Sequence, residues 1–546
     1  MSKVNVEELK RSSNGLRGNI VDEMTNGVPN VTDETYQLLK FHGMYQQDDR
    51  DLRRDLKQKG ELPAYSFMLR SRIPGGVITR EQYLAHDDIA DRFGNGTLRL
   101  TTREAFQVHG VLKGDVKPVI QAINHALLST ISACGDVNRN VVVTPDPADN
   151  PVNRELQALA IRIANHLTPK SRAYHEIWLD EEPQSGELEE PIYGKTYLPR
   201  KFKIGITRTG DNSIDILTHD IGIVAITNGD TITDYQLYAG GGLGKTHNNE
   251  DTFPRLADPV GRVSPDLVLK AVEAMVMVQR DHGNRENRKL SRLKYVLHNK
   301  GVDWFRSQTE KTGGFLFRNA VTLPPWQFRS WFGWTPQGNG LFTLGLFVEN
   351  GRIHDSGDFR LKTALKTIAT TLSCSFRITA TQDLQIRDVT PAQQKVVEVI
   401  LADHGIRLPD TIAPLRLQSM ACPALPTCGL AISEAERVFP DIITELEGIA
   451  KQVGLESLPV VTRMTGCPNG CARPYTAELA FVGRSGTKYE IHAGGSPGGD
   501  RLTTVIHPGL DQSLFKPFFT ELFTRFADNR QAGESFGDWV VRQGEW

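Results

Sequence analysis

The hydrophobic and polar positions change their period several times along the 546 residues. "MLRSRIPGGVIT" (68–79) alternates apolar and polar side chains and breaks at Pro74-Gly75-Gly76, the pattern of a strand followed by a turn. "REQYLAHDDIADRFG" (80–94) then sets its apolar residues at helical spacing and stops at Gly94. "TLRLTTREAFQVHGVL" (97–112) returns to strand texture, so residues 68–112 read as a βαβ-type α+β module. The same pattern occurs again. "LRLTTREAFQVHGV" (98–111) aligns without gaps on "FRITATQDLQIRDV" (376–389), with Arg99/Arg377, Thr101/Thr379, Gln107/Gln385 and Val111/Val389 identical. The apolar beats Leu98/Phe376, Leu100/Ile378, Phe106/Leu384 and Val108/Ile386 also match, and a helical stretch precedes each copy, 80–92 and 361–372. Two unrelated amphipathic strands would share the beat. A true duplication predicts two similar halves with a site between them.

Elsewhere the texture is mixed. Residues 1–67 form a polar, charge-rich arm that includes "FHGMYQQDDRDLR" (41–53). Helical periodicity over 150–190 runs into an acidic stretch, 180–191, read as a solvated loop. Short β-rich runs fill 200–240. A helix is predicted over 264–283, capped by Ser264 and stopped by Gly283. Another is predicted over 433–454, opened by a Ser433…Glu436 capping box, and an amphipathic closing helix over 513–530.

The length is too great for one core and points to two to four domains. Hydrophobic content of 39% and charged content of 23% are those of a soluble globular chain. A net charge of −2 gives no bulk field toward nucleic acid or an anionic membrane, although 63 Lys and Arg leave room for a local basic pocket. The first residues are polar throughout, unlike a signal peptide, and no run approaches the ~20 apolar residues of a membrane helix. The expectation is a cytoplasmic protein with neither a nucleic-acid nor a membrane partner.

In that compartment clustered cysteines are ligands or catalytic groups more often than disulfides. Cys134 and Cys374 stand alone and read as small core residues. The other four form two pairs, Cys422/Cys428 in "ACPALPTC" and Cys467/Cys471 in "GCPNGC". A five-residue gap is loose for one tetrahedral zinc, whose pairs favour two to four. Four thiolates on Pro/Gly-rich loops suit a [4Fe–4S] cube, with zinc and buried free thiols as the alternatives. Gly466 and Gly470 permit close backbone approach, and Pro423, Pro426 and Pro468 hold the chain extended near the cysteines.

Cations gather elsewhere. Arg70, Arg72, Arg99 and Arg103 lie in or beside the strands of one module. Arg139 sits in "VNRNVVV", and Arg200, Lys201 and Lys203 in "YLPRKFKIGIT". Each alone reads as part of a solvated face. Converging on one pocket, they would suit a polyanionic ligand and a small oxyanion. "AGGGLGKT" (239–246) imitates a phosphate-binding P-loop, but "HNNEDTFPR" after it is a poor helix former. An anion-facing glycine turn fits better. No dinucleotide fingerprint appears.

These residues carry a resemblance. "ACPALPTCGLAISEAER" with "TGCPNGCARPYTAELAFVG" resembles the paired signature of the sirohaem/[4Fe–4S] sulfite and nitrite reductases. The likeness continues in order through "FHGMYQQDDRD", "RIPGGVIT", "LRLTTREAFQVHG", "VNRNV", "YLPRKFK" and "GGGLGKTH". It implies an oxidoreductase that reduces sulfite to sulfide with six electrons, using sirohaem and a [4Fe–4S] cluster. Cys422, Cys428, Cys467 and Cys471 would bind the cluster, and Cys471 would also ligate the sirohaem iron. Arg99, Arg103, Gln107, His109, Arg200, Gly240, Gly241, Gly242 and Asn469 would meet the sirohaem. Arg70, Arg139, Lys201 and Lys203 would bind sulfite. The nitrite branch usually shows Asn where this chain has Lys203, so "RKFK" favours sulfite over nitrite. "FHGMYQQDDRD" resembles the branch fed by an NADPH-oxidising flavoprotein, whereas "CARPYTAELAFVG" also looks like the ferredoxin-fed branch. The implied fold is α+β with pseudo-twofold symmetry: an arm (1–67), paired ferredoxin-like modules (68–131 and 333–408), a cation-bearing lobe (132–332) and a cysteine-bearing lobe (409–546). A zinc-stapled anion-binding protein is the non-enzymatic alternative.

Overall fold

A computed structural model describes residues 4–182 and 190–544, so most of the acidic stretch at 180–191 lies outside the described residues. Two five-stranded sheets with the same plan form the centre. One runs in the order Met44–Asp48, Tyr65–Arg70, Phe106–Val111, Leu98–Leu100, Arg352–Ile353. The other runs Gly333–Pro336, Phe342–Leu346, Leu384–Val389, Ser375–Ile378, Val77–Thr79. Each ends on a strand contributed by the opposite repeat. The registers correspond: Arg99 lies opposite Gln107, and Arg377 lies opposite Gln385. The duplication is therefore real, and the exchanged strands bind the two modules into one body.

Local chemistry explains the module helices. Helix Arg80–Phe93 starts at Thr79, whose side chain accepts from the Gln82 N–H while Gln82 reaches back to the Thr79 N–H. It packs on its counterpart Leu361–Thr371, and Lys362 bridges the two through Asp87 (2.9 Å) and Asp91 (2.7 Å).

The duplication extends beyond the modules. The sheet Val142–Val143, Ile204–Arg208, Ile221–Asn228, Thr231–Ala239, Asp258–Val263 has two parallel steps and then two antiparallel ones. The sheet Ser419–Ala421, Thr462–Thr465, Leu479–Ser485, Lys488–Ala493, Thr504–Asp511 repeats that order and those directions. Helices Pro151–His166 and Phe439–Gln452 make the equivalent first crossovers, and Val268–His282 and Phe515–Asn529 follow the last strands. A left-handed residue precedes a short 3-10 turn at the same place in each lobe: Asp215 (φ 51°) and Arg473 (φ 56°).

One large apolar core joins the arm, both modules and the first lobe. The cysteine lobe has a separate core running from Leu415 to Val540. The seam between the two cores is bridged by charged groups, and that is where the chemistry gathers.

Three sequence expectations need correction. Helix Val268–His282 starts at Leu267 without a side-chain cap, because Ser264 instead closes a turn with its carbonyl to the Leu267 N–H (3.0 Å). Helix Phe439–Gln452 begins three residues beyond the anticipated Ser433…Glu436 box, with Pro440 in its first turn. Glu436 is drawn away by two arginines, and the Ser433 hydroxyl turns toward the Lys488 carbonyl. The closing helix is followed by another, Phe536–Gln543. No helix among the described residues is long and apolar enough to cross a membrane.

Candidate functional site

Two parallel strands of the second lobe deliver the cysteines. Cys422 follows Ser419–Ala421 and donates its N–H to Met464 (3.1 Å), while Cys467 follows Thr462–Thr465. Cys422 and Cys467 are buried, Cys428 is half-buried and Cys471 is exposed. The Gly466 N–H points at the Cys422 sulfur (3.4 Å), and the Asn469 amide at the Cys467 sulfur (3.6 Å). A side chain at 466 would meet the Ser433 carbonyl at 2.5 Å and the Ala424 methyl at 2.6 Å, so only glycine brings that N–H in. Burial, then the neighbouring sulfurs, push the Cys422 thiol well up and Cys467 to about 12. Charge on a neighbouring sulfur opposes ionisation at Cys422, Cys428 and Cys467, a cost that a bound cationic centre removes. Among the described residues, no three His, Cys, Asp or Glu side chains group closely enough to hold a single ion.

The arm and the first module hold these loops from outside. Arg50 donates to the carbonyls of Cys428 (3.1 Å) and Ala431. Arg99 is not free to reach a ligand carboxylate: its guanidinium pairs with Glu436 and donates to the Ala421 carbonyl (2.8 Å), one residue before Cys422. Arg352 grips the same carboxylate at 2.7 Å and 3.1 Å. Burial alone would raise the Glu436 carboxyl, but Arg99 and Arg352 outweigh it and hold it at about 2. The stabilisation from this ionised carboxylate is present above the usual carboxylate range and is lost as pH falls through about 2. Glu436→Leu strands the buried Arg99 and the half-buried Arg352 guanidinium groups and is expected to cost about 3 kcal/mol by urea titration. Glu436→Gln, which keeps hydrogen bonds, should cost less.

The first lobe supplies a cationic pocket against the cysteine loop. Arg103, Lys201, Lys203 and Arg292 line it with Asn469, Gly470 and Arg473. Burial, then neighbouring cations, lower the Lys201 ammonium to about 7 and Lys203 well below its ordinary value. The buried Asp220 carboxylate is already taken by Arg292 (3.0 and 2.8 Å) and the Lys203 N–H (2.9 Å). Arg103 anchors on the Ile204 carbonyl (2.9 Å), but its Nε has no partner. The Thr102 hydroxyl donates to the Cys471 carbonyl (3.3 Å), which puts the exposed cysteine at the pocket edge.

A second group of predicted residues lies nearby on the first module and the adjoining part of the first lobe. With the Gln107 amide turned so that its oxygen accepts, it meets the Arg70 guanidinium on the paired strand (3.2 Å from Nε). Arg139 rests on the Gly135 carbonyl (3.2 Å) and the Tyr45 hydroxyl (3.4 Å). His109 uses Nδ1 on Gln47 (3.2 Å) and leaves Nε2 buried without a partner; burial, then Arg352, lowers it to about 3, so it is neutral. Arg200 lies beside Arg288 and Asp136. Arg72 turns away to the Thr168 hydroxyl (2.7 Å) and acts as a staple.

The glycine turn starts no helix. Gly242 exchanges backbone hydrogen bonds with Arg255 (2.8 and 3.0 Å), and Gly241 packs against the Leu217 and His219 carbonyls, where a Cβ would clash at 2.3 Å and 2.5 Å. Three residues after Gly242, the Lys245 N–H donates to the Pro468 carbonyl (2.9 Å). The turn thus clasps the 467–471 loop onto the pocket.

Arg50, Glu436, Arg292 and the Asp215 pair with Arg463 (2.8 Å) and Arg473 (2.6 Å) had escaped sequence reasoning. Arg50 and Glu436 lie inside the stretches "FHGMYQQDDRD" and "ACPALPTCGLAISEAER" and Arg473 inside "GCARPY", but nothing local named their partners.

Known proteins share this plan. The family described as "Nitrite/Sulfite reductase ferredoxin-like half domain" matches residues 61–126 and 335–404, the two modules. "Nitrite and sulphite reductase 4Fe-4S domain" matches residues 160–315, in the first lobe. The "Sulfite reductase [NADPH] hemoprotein beta-component" of Staphylococcus saprophyticus is 44% identical over 99% of this chain and 95% of its own. The Myxococcus xanthus protein of the same name is 44% identical over 99% and 96%. "Sulfite reductase [ferredoxin]" of Synechococcus elongatus is also 44% identical, over 99% and 89%. Among solved structures, the Mycobacterium tuberculosis NirA protein superposes with a TM-score of 0.82 over 99% of this chain and 97% of its own, at 22% identity, a likeness of fold. Paired ferredoxin-like halves, matched lobes and likeness along the full length place this chain in the nitrite and sulphite reductase family.

Proposed function

We propose that this chain is the haemoprotein component of a cytoplasmic assimilatory sulfite reductase, reducing sulfite to sulfide with electrons from a separate NADPH-oxidising flavoprotein. The observation that supports it most is the seam itself. Cys422, Cys428 and Cys467, with thiols raised by burial and by Cys471, lie beside a pocket of buried and half-buried cations, and the neighbouring Asp220 carboxylate is already paired with Arg292. The unpartnered Nε–H of Arg103 is a donor that the carboxylates of a polyanionic macrocycle would satisfy.

The residues therefore fit the family's cofactors. Cys422, Cys428, Cys467 and Cys471 would hold a [4Fe–4S] cluster, with Cys471 shared by the iron of sirohaem. Arg103, Arg200, Gln107, His109, Asn469 and the turn Gly240–Gly242 would bind the macrocycle, and Arg99 supports Cys422 from behind. When bound, the coupled iron centres supply the electrons and the seat for the sulfur atom. The protein's own part is electrostatic and protonic. Arg70, Arg139, Lys201 and Lys203 would neutralise the anion and stabilise charge on its oxygens. Each oxygen leaves as water and so needs protons. An ammonium poised at about 7, as at Lys201, gives one up readily near neutrality.

This reading carries a sign for pH. The charged form of Lys201 binds the anion, and a bound anion raises the ammonium's pKa. The sulfite KM, corrected for sulfite's own protonation, should rise as pH climbs above about 7, by no more than about tenfold per unit for one group. Lys201→Met should flatten that profile, and an unchanged slope would remove Lys201 from the site.

Two relatives 44% identical to this chain carry different donors in their names, so the donor is tested directly. Steady turnover with an NADPH-driven flavoprotein, against reduced ferredoxin at equal concentration, should favour the flavoprotein. Ferredoxin alone sustaining turnover would reassign the chain. Comparison of sulfite and nitrite with a dye reductant should show higher kcat/KM for sulfite.

A further inference from the structure

We propose that Lys10, on the first helix Val6–Ser12, is a positioning residue for the anion site, acting through the backbone that carries Lys201 and Lys203; the proposal rests on assigning those lysines to sulfite. The stretch leading into them has no strand partner over residues 196–199, yet its four consecutive carbonyls are all satisfied by cations. Arg285 donates to Thr196 (3.4 Å) and Tyr197 (2.7 Å), Lys10 to Leu198 (2.9 Å), and Arg288 to Pro199 (3.3 Å). Lys10 is only 2% exposed, a burial lysine rarely accepts without a partner. Its ammonium also contacts Glu7 (2.5 Å) and lies 3.7 Å from Asp136, which Arg288 holds in a two-point grip (2.6 and 3.0 Å). Glu7 in turn pairs with Arg285, so one helix orients two of the three cations.

The second link is a zip between the two anion-binding loops. The Leu198 N–H donates to the Asp136 carbonyl (3.0 Å), the Phe202 N–H to Val137 (3.1 Å) and the Arg139 N–H to Phe202 (2.9 Å). Lys10 touches both sides of this zip, at the Leu198 carbonyl and near the Asp136 carboxylate. Its loss leaves a buried carbonyl unsatisfied three residues before Lys201. Relaxation there moves the lysine ammoniums relative to Arg139, and displacements well under the length of a side chain are costly in a preorganised site. An anchor that merely fastened the arm would alter stability alone.

The test compares holoenzymes. Lys10→Met keeps the stem volume and removes the donor. It should raise the sulfite KM about tenfold while kcat and cofactor content stay within about twofold. The Kd for sulfite of the unreduced holoenzyme, read from its haem absorption, should weaken in parallel. A lowered melting temperature with wild-type KM and Kd would overturn the proposal. If Lys10→Met fails to fold or to load cofactor, Glu7→Gln keeps the ammonium but loosens it. That variant should raise KM by about two- to fourfold, and an unchanged KM would overturn the proposal. Lys203→Asn, run alongside, separates the two ideas. If it raises KM and the Lys10 and Glu7 variants do not, only the positioning role fails. If it too leaves KM unchanged, the anion-site assignment fails and the positioning role falls with it.

Discussion

Cys471→Ser is expected to yield a folded protein that has lost its coupled cofactors and its sulfite reduction. Cys471 is exposed and lies in a turn, and serine is close to it in size, so the core around Leu415–Val540 has no reason to collapse. The chemistry at that position changes completely. A hydroxyl stays protonated where a thiol would ionise, and it is a hard donor where an iron–sulfur centre wants a soft one. The other cysteines lose a shared partner, and the pocket loses the ligand that ties its two halves. The expected readouts are loss of the haem band, loss of labile sulfide, no detectable turnover and a melting temperature close to that of the apoprotein. Retention of both chromophores would remove Cys471 from the centre.

Lys203→Asn is expected to keep the cofactors and to lower kcat/KM for sulfite by about a hundredfold, with a smaller loss for nitrite. Lys203 is half-buried at the pocket wall, its ammonium is pressed by Lys201, Arg103 and Arg292, and its backbone N–H is fixed by Asp220. Removing one of these cations relieves repulsion among the rest. The apoprotein should therefore become no less stable, while the site loses charge where a doubly negative oxyanion needs it. Nitrite carries one negative charge and needs less. Equal losses for the two anions would count against Lys203 as a selectivity residue.

The modules were legible because their signal is local. The period of two, the glycine stops and four identities at a constant separation of 278 residues are all printed in the chain. The duplication of the lobes was not. Asp215 and Arg473 occupy equivalent turns but are separated by 258 residues, so the loops that differ between the halves break any ungapped alignment. Chemistry has diverged as well. Thr144, the counterpart of Cys422, donates its N–H to Ile206 (3.0 Å) as Cys422 does to Met464 (3.1 Å), yet its hydroxyl bonds to Asp211 (2.5 Å). The first lobe carries a hydroxyl at this place where the second carries a thiol. The cysteines were readable because ligand spacing is a property of neighbours along the chain. Glu436, Arg292 and Lys10 were not, because their partners Arg99, Asp220 and Leu198 lie far away in sequence and are brought to them only by the tertiary fold. Arg99 shows the limit from the other side: its type and strand position were read correctly, and its partner was not.

The most direct test of a sirohaem–[4Fe–4S] centre at this seam is an optical spectrum of the purified protein with iron and acid-labile sulfide counted per chain, after expression with sirohaem synthesis supplied. The account predicts sirohaem bands with about five irons and about four sulfides per chain. Stoichiometric zinc without a chromophore would contradict it and leave a zinc-stapled anion-binding protein.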